Sequence, residues 1–312
     1  MPAIAEKTLL QEVLESLASD RPHLPCKLLY DDAGSELFEQ ICAQPEYYQT
    51  RTEQQILRDN AESIADEIGS DAVLVEYGAG SGVKTETVLA AMRDCAGYVP
   101  IDISQWMLDT CARRLHTKFP DLAIETVRAD YTKPVGLPDL VDDAEQVVAF
   151  FPGGTIGNFV PEKAERFLAN IAETVGRGGG LIVGFDLRKD PLTLHAAYND
   201  AAGITAAFNL NLLTRLNQEL DADFDTSLWR HYAPYNPGQG RIEMHLVALA
   251  HQTVSIAGER FHFRRGESIH TENSYKYTRP GFAEVADNAG WNVAHAWVDE
   301  DELFSVEYLT AR

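Results

Sequence analysis

The sequence predicts a doubly wound α/β sheet with an inserted α+β module. Three observations carry that expectation. Short apolar runs alternate with helix-patterned stretches across residues 53–188. A glycine-rich turn follows the first of those runs, and the alternation breaks over residues 189–276 before resuming to the end of the chain.

The first run, D-A-V-L-V-E-Y-G-A-G-S-G at residues 71–82, reads as a buried parallel strand entering a loop with glycines at 78, 80 and 82. Such a turn after the first strand of an open sheet sets backbone amides and a helix N-terminus against a nucleotide-like ligand. The glycines alone fit a tight structural turn as well. The spacing is not the G-x-G-x-x-G of dinucleotide sites, and Glu76 would be badly placed for a pyrophosphate. It suits instead a cationic or amine-bearing ligand, or the organisation of the loop itself. The second strand, 98–103, ends in Asp102, roughly 20 residues past the loop, where a ribose diol would be gripped. The third, 124–129, leads to Asp130 and Tyr131, the ring suited to lie against a purine. Any one of these acids also fits a helix cap or a turn. Three in register point to a nucleoside-bearing cofactor.

The fourth strand, 146–151, runs into F-P-G-G-T-I-G-N-F at residues 151–159, where Gly153 and Gly154 free the backbone and Asn158 offers a donor and an acceptor. The fifth strand is expected at 180–186. Residues 192–220 then read as helical, and 241–254 and 259–263 alternate as antiparallel strands do. A helix at 280–289, a strand at 291–298 and a last, edge strand at 302–311 complete the sheet. The domains expected are 53–188 with 277–312 for the cofactor, and 1–52 with 189–276 as a substrate-binding module covering the carboxyl ends of the strands.

Bulk properties narrow the class. The net charge of -22, with acids spread as at 139–145 and 299–302 and no basic run, argues against a nucleic-acid substrate. No apolar stretch approaches the roughly 18 residues of a membrane span, and the start has no basic, apolar leader, so a cytoplasmic enzyme is expected. Cys26, Cys42, Cys95 and Cys111 lack metal-ligand spacing, so reduced thiols and no metal are expected.

The order acid-x-Gly-x-Gly-x-Gly at 76–82 resembles the first motif of class I S-adenosylmethionine methyltransferases, a Rossmann-like fold. Longer blocks are more specific: Y-D-D-A-G-S-E-L-F-E-Q at 30–40, P-E-Y-Y-Q-T-R-T-E at 45–53, the 151–158 loop, A-Y-N-D-A-A-G-I-T-A-A-F-N at 197–209, I-E-M at 242–244 and H-T-E-N-S-Y-K at 270–276. In this order the chain resembles the ergothioneine-pathway L-histidine Nα-methyltransferase family. The resemblance implies S-adenosyl-L-methionine as cofactor, S-adenosyl-L-homocysteine as product, free L-histidine as the acceptor, and hercynine, the trimethylated betaine, as the end product. A monomer that binds neither nucleic acid nor membrane is expected.

Carried over residue by residue, the resemblance places Tyr30, Gly78, Lys84, Asp102, Asp130 and Tyr131 at the cofactor, beside Glu76, Gly80 and Gly82 of the loop. Asn158 and Tyr198 would hold the α-carboxylate and place the amine, with the Gly153 backbone nearby. Tyr47, Glu272 and Ser274 would read the imidazole, with Met244 on the pocket wall. Tyr47 and Asn158 are the expected catalytic pair, since methyl transfer to an amine needs positioning more than a strong base. Two alternatives stay open on sequence: another amino acid amine, such as that of tryptophan, and a nucleotide-dependent oxidoreductase or passive binder.

Overall fold

The computed structural model describes residues 2–133, 135–142, 144 and 146–312; positions 143 and 145 of the acidic 139–145 stretch lie outside the described residues. The chain divides into two compact units, residues 48–189 with 275–312 and residues 1–47 with 190–274. Elements are numbered along the whole chain.

The larger unit comprises α3 (Tyr48–Asp59), α4 (Ala61–Ile68), β1 (Ala72–Tyr77), α5 (Val83–Ala91), β2 (Gly97–Asp102), α6 (Gln105–Lys118), β3 (Val127–Arg128), α7 (Asp139–Asp142), β4 (Gln146–Phe151), α8 (Pro161–Val175), β5 (Gly180–Asp186), α11 (Arg279–Asn288), β12 (Trp291–Val298) and β13 (Phe304–Ala311). Its seven strands run in the order β12-β13-β5-β4-β1-β2-β3. β1 pairs in parallel with β2 and β4, β4 with β5 likewise, and β13 joins β5 antiparallel. Every residue of β1 is buried, because both faces are covered. Val73, Val75 and Tyr77 enter one core and Ala72 and Leu74 the other, as a period of two requires. Helix α8 starts on Pro161 and buries Ala164, Phe167, Leu168, Ile171 and Val175, one stripe at helical spacing.

Three expectations need correction. The last strand is not an edge: β13 lies between β5 and β12, and all but Thr310 of its residues are buried. An internal position suits a strand buried on both faces, and it leaves the edge to β12, where four successive residues are exposed. A domain boundary at residue 53 would cut α3, which packs on α5 and β13 within the larger unit. The third strand is shorter than expected, with Ile124 reduced to a single bridge to Tyr98.

The smaller unit contains α1 (Pro2–Leu17), α2 (Asp32–Cys42), α9 (Pro191–Tyr198), α10 (Ile204–Glu219), β6 (Trp229–Tyr232), β7 (Tyr235–Asn236), β8 (Arg241–Ala248), β9 (Gln252–Ile256), β10 (Glu259–Phe263) and β11 (Ser268–Tyr275), whose last residue belongs to the larger unit. A sheet β11-β8-β6, with β7 paired to β8, carries α10 on one side, and β9 and β10 form a separate hairpin. β8 alternates buried and half-buried residues along its length, so Ile242, Met244, Leu246 and Ala248 share one face. The expected 192–220 helix is broken at residues 199–203 by the Asp200 carboxylate, which accepts the amides of Ile204 and Thr205, both at 2.8 Å. That is a helix start signal, and it begins α10 afresh.

Candidate functional site

In the larger unit the glycine loop leaves β1 and enters α5. Gly78, Gly80 and Gly82 all hold positive φ, at 80°, 51° and 73°. Their open sides differ. A Cβ on Gly80 would meet nothing within 4 Å, one on Gly78 would face the Tyr131 ring at 3.6 Å, and one on Gly82 would lie 2.8 Å from Cys111 Sγ. Gly80 therefore leaves its backbone open and Gly78 lies against the Tyr131 ring, whereas Gly82 lets α5 approach α6.

Asp102 ends β2. One carboxylate oxygen accepts the Gly80 amide at 3.3 Å and the other the Ser104 amide at 2.9 Å. Burial pushes its carboxyl up, against these amide bonds, which favour the charged form. Asp130 accepts both the amide and the hydroxyl of Thr132, at 3.1 and 2.5 Å, in a turn that fixes its carboxylate. Tyr131 stands edge-on to Tyr77 and Phe151, with ring centroids at 6.3 and 5.9 Å, a flat apolar face beside Gly78. Bare backbone at Gly80, an acid at the end of β2, and an acid and a ring after β3 fit a ribose, an adenine amino group and a purine face. This donor set suits a nucleoside-bearing methyl donor.

Glu76 goes elsewhere. It is buried, and one oxygen accepts from Thr85 Oγ1 at 2.5 Å and from the Tyr98 hydroxyl. Burial pushes its carboxyl up to about 8, with the Thr85 and Tyr98 bonds opposing. Of the two roles open to it, it takes loop organisation, tying the first turn of α5 to β2. A carboxyl raised on folding adds stability that is complete below its unfolded value of about 4.5 and lost as the pH rises through about 8. Glu76→Gln keeps an acceptor for Thr85 and does not ionise. Wild type should therefore lose stability relative to this variant by up to about 1.4 kcal/mol per pH unit inside that window. Urea midpoints of both proteins between pH 5 and 9 measure it, and parallel curves would refute it.

Lys84, in the first turn of α5, reaches Glu53 of α3 at 2.5 Å. Glu53 is 1% exposed and accepts the Gly153 amide with both oxygens at 2.9 Å. Asn158 closes the short 3-10 turn Thr155–Asn158 after β4. That turn lies against the Tyr275 backbone, which a Cβ on Gly157 would meet at 2.7 Å.

In the smaller unit, β11 runs Ser268–Tyr275, and Glu272 and Ser274, two residues apart, point to one side and are buried. Ser274 Oγ lies 2.6 Å from the Tyr198 hydroxyl, and the Tyr198 and Tyr47 rings meet edge-on at 6.1 Å. Met244 is buried on β8, the neighbour of β11. The Tyr47 phenol is held well above its ordinary range, first by burial and then by Tyr198, Cys42, Tyr30 and Glu272, so it remains a hydrogen-bond donor. Tyr30 meets Phe38 and Phe208 edge-on at 5.7 and 5.6 Å, so its immediate neighbours belong to this aromatic cluster.

The profile of a family described as "Histidine-specific methyltransferase, SAM-dependent" matches residues 9–311. The chain belongs to this family. Among its relatives, the histidine N-alpha-methyltransferase of Mycolicibacterium smegmatis is 38% identical over 95% of this chain and 92% of its own length. That of Mycobacterium tuberculosis is 35% identical over 94% and 91%. The L-tryptophan methyltransferase of Psilocybe serbica is 28% identical over 92% and 88%.

As a histidine-specific methyltransferase, the protein has supporting residues that sequence reading passed over. His231 Nε2 lies 2.8 Å from the Tyr198 carbonyl, and its Nδ1 is 3.0 Å from Asn209 Nδ2. Thr271 donates to Asn209 Oδ1 at 2.7 Å and to the Met244 carbonyl at 3.2 Å. One polar chain thus fixes the backbones that carry Tyr198, Met244 and Glu272. Asn209 stood in a recognisable block, whereas His231 carried no signal. Glu53 stood at the end of another block, without a role.

Proposed function

We propose that the protein transfers methyl groups from S-adenosylmethionine to the α-amine of free L-histidine, through to the trimethylated betaine hercynine, at the entry to ergothioneine synthesis. The observation that carries this reading is the buried pair Glu272 and Ser274 on one face of β11, with Tyr47 and Tyr198 in the same unit. A carboxylate accepts from one imidazole N–H and a hydroxyl serves the other nitrogen, so the pair reads a two-nitrogen ring. An indole offers one N–H and no acceptor. Among the relatives named histidine N-alpha-methyltransferase, two exceed one-third identity, which supports the same substrate.

S-adenosylmethionine supplies an electrophilic methyl group on a sulfonium. The chain's own residues supply placement. The family resemblance assigns the α-carboxylate to Asn158 and Tyr198 and the aiming of the amine to Tyr47 and the Gly153 carbonyl. Since the Tyr47 phenol stays protonated, the ammonium proton passes to water or to another side chain. Aromatic faces at Tyr47 and Tyr198 favour a growing methylammonium by cation–π attraction.

The test is mass spectrometry of products from histidine with excess S-adenosylmethionine. A product carrying three added methyl groups is expected. No methylated histidine, or methylated tryptophan in preference, would sink the reading.

A further inference from the structure

The Glu53 carboxylate stands where two parts of the larger unit meet. Lys84 follows the glycine loop and is the expected partner of the methyl donor; Gly153 follows β4 and is expected at the accepting amine. Glu53 bonds both at once, Lys84 Nζ at 2.5 Å and the Gly153 amide at 2.9 Å to each oxygen. The surroundings are shaped to keep it there. A Cβ on Gly184 of β5 would lie 2.0 Å from Glu53 Oε1, so only glycine makes room for the carboxylate. Gly153 has φ 87°, a conformation that favours glycine, and a Cβ there would lie 3.5 Å from Lys84 Nζ. Lysine, carboxylate and loop amide therefore close on one another with no side chain between them.

We propose that Glu53 is a positioning residue for methyl transfer, setting the donor side through Lys84 and the acceptor side through Gly153. The assignment rests on the histidine-methylation reading. A carboxylate accepts from two donors simultaneously. Glu53→Gln keeps the volume and an acceptor oxygen but removes the charge that holds the Lys84 ammonium and strengthens the Gly153 bond, so both arms loosen. Misplacement of a reacting group by about 1 Å costs on the order of a hundredfold in rate. Donor affinity depends on the ammonium of Lys84 rather than on its carboxylate partner, so binding and turnover should separate.

The experiment measures kcat, KM for histidine and the Kd of S-adenosylhomocysteine for wild type, Glu53→Gln, Glu53→Asp and Lys84→Met, with Tm as the record of folding. The expected result is kcat lower by roughly ten- to a hundredfold in Glu53→Gln, with the Kd within about threefold of wild type. Glu53→Asp, which keeps the charge, should recover part of kcat. Lys84→Met should raise the Kd and leave a smaller kcat defect, because the Gly153 arm survives. Unchanged kcat in Glu53→Gln overturns the proposal, as does a kcat loss that disappears below the variant's lowered Tm. A parallel loss of Kd and kcat confines Glu53 to cofactor binding and overturns the acceptor arm. Wild type without methylated histidine is the separate failure of the underlying reading.

Discussion

Glu272→Ala should lower kcat/KM for histidine by about two to four orders of magnitude, with S-adenosylhomocysteine binding and Tm close to wild type. Glu272 is 7% exposed and Ser274 5%, on one side of β11. A site built around hydrogen bonds to a substrate rejects partners that leave those groups unpaired by about 10⁴–10⁵, far more than an apolar pocket distinguishes neighbours. The alanine variant creates the mirror case, an imidazole N–H with no acceptor in a dry pocket. The same change should cost tryptophan as well, since the indole N–H also needs that acceptor, whereas Ser274→Ala should cost histidine much more than tryptophan, because an indole has no second nitrogen for the hydroxyl. Measuring both amino acids with Glu272→Ala, Ser274→Ala and the double variant separates the terms. Equal losses for the two substrates in Ser274→Ala would mean that β11 supports the pocket without reading the second ring nitrogen. Coupling between Glu272 and Ser274 is also expected, since both act on one ring.

How far such a site can be read from a sequence depends on the range of its contacts. Strands β1, β2, β4 and β5 were legible, because buried parallel strands are short apolar runs bounded by turns. The glycines and strand-end acids were legible because their chemistry is local: a backbone conformation at Gly80, a strand terminus at Asp102. The place of β13 was not, since strand order is decided by which faces must be covered, and Ser305, Glu307 and Thr310 among its apolar residues read as well at an edge as inside. Contacts across long sequence separation leave no spacing to detect. Gly153 and Glu53 are 100 positions apart, and Tyr198 and Ser274 are 76. Glu76 shows the opposite difficulty, an acid in a motif position whose partners, Thr85 and Tyr98, are internal. A motif says where an acid stands; only packing says what it faces.

Asp186→Ala should destabilise the larger unit by about 3–5 kcal/mol, the cost of leaving buried charge without its partner. Asp186 ends β5 and is 2% exposed. Its carboxylate accepts the Tyr48 hydroxyl at 2.9 Å to each oxygen, Lys189 Nζ at 2.5 Å and Lys276 Nζ at 2.8 Å. Lys276 has no exposed side chain at all, and Lys189 also lies 4.7 Å above the Tyr48 ring. Two ammonium groups thus share one carboxylate. Burial lowers Lys189 to about 8, with Asp186 opposing and Lys276 adding to the fall. Removing the carboxylate takes from both cations the partner they share, so Lys189 should shed its proton at still lower pH, and Lys276 stays buried with one partner fewer. The stability lost should therefore exceed that of Lys276→Met, which deletes one cation and leaves Asp186 paired with Lys189. That variant is expected to cost less than Asp186→Ala, because the carboxylate keeps Lys189 and the Tyr48 hydroxyl and the deleted ion gives up its own desolvation cost. Combining Lys276→Met with Asp186→Ala should recover a large part of the loss, and the shortfall from additivity measures the coupling. Urea unfolding of the four proteins is the measurement. Full additivity, or a mild Asp186→Ala beside a severe Lys276→Met, would show that the lysines are held by packing rather than by the carboxylate. The three groups that Asp186 binds also stand at the ends of the unit's chain segments: Tyr48 opens the first, Lys189 closes it, and Lys276 follows the start of the second. Hydrogen exchange in Asp186→Ala should therefore rise first at the start of α3, the end of β5 and residues 275–278, ahead of the glycine loop after β1.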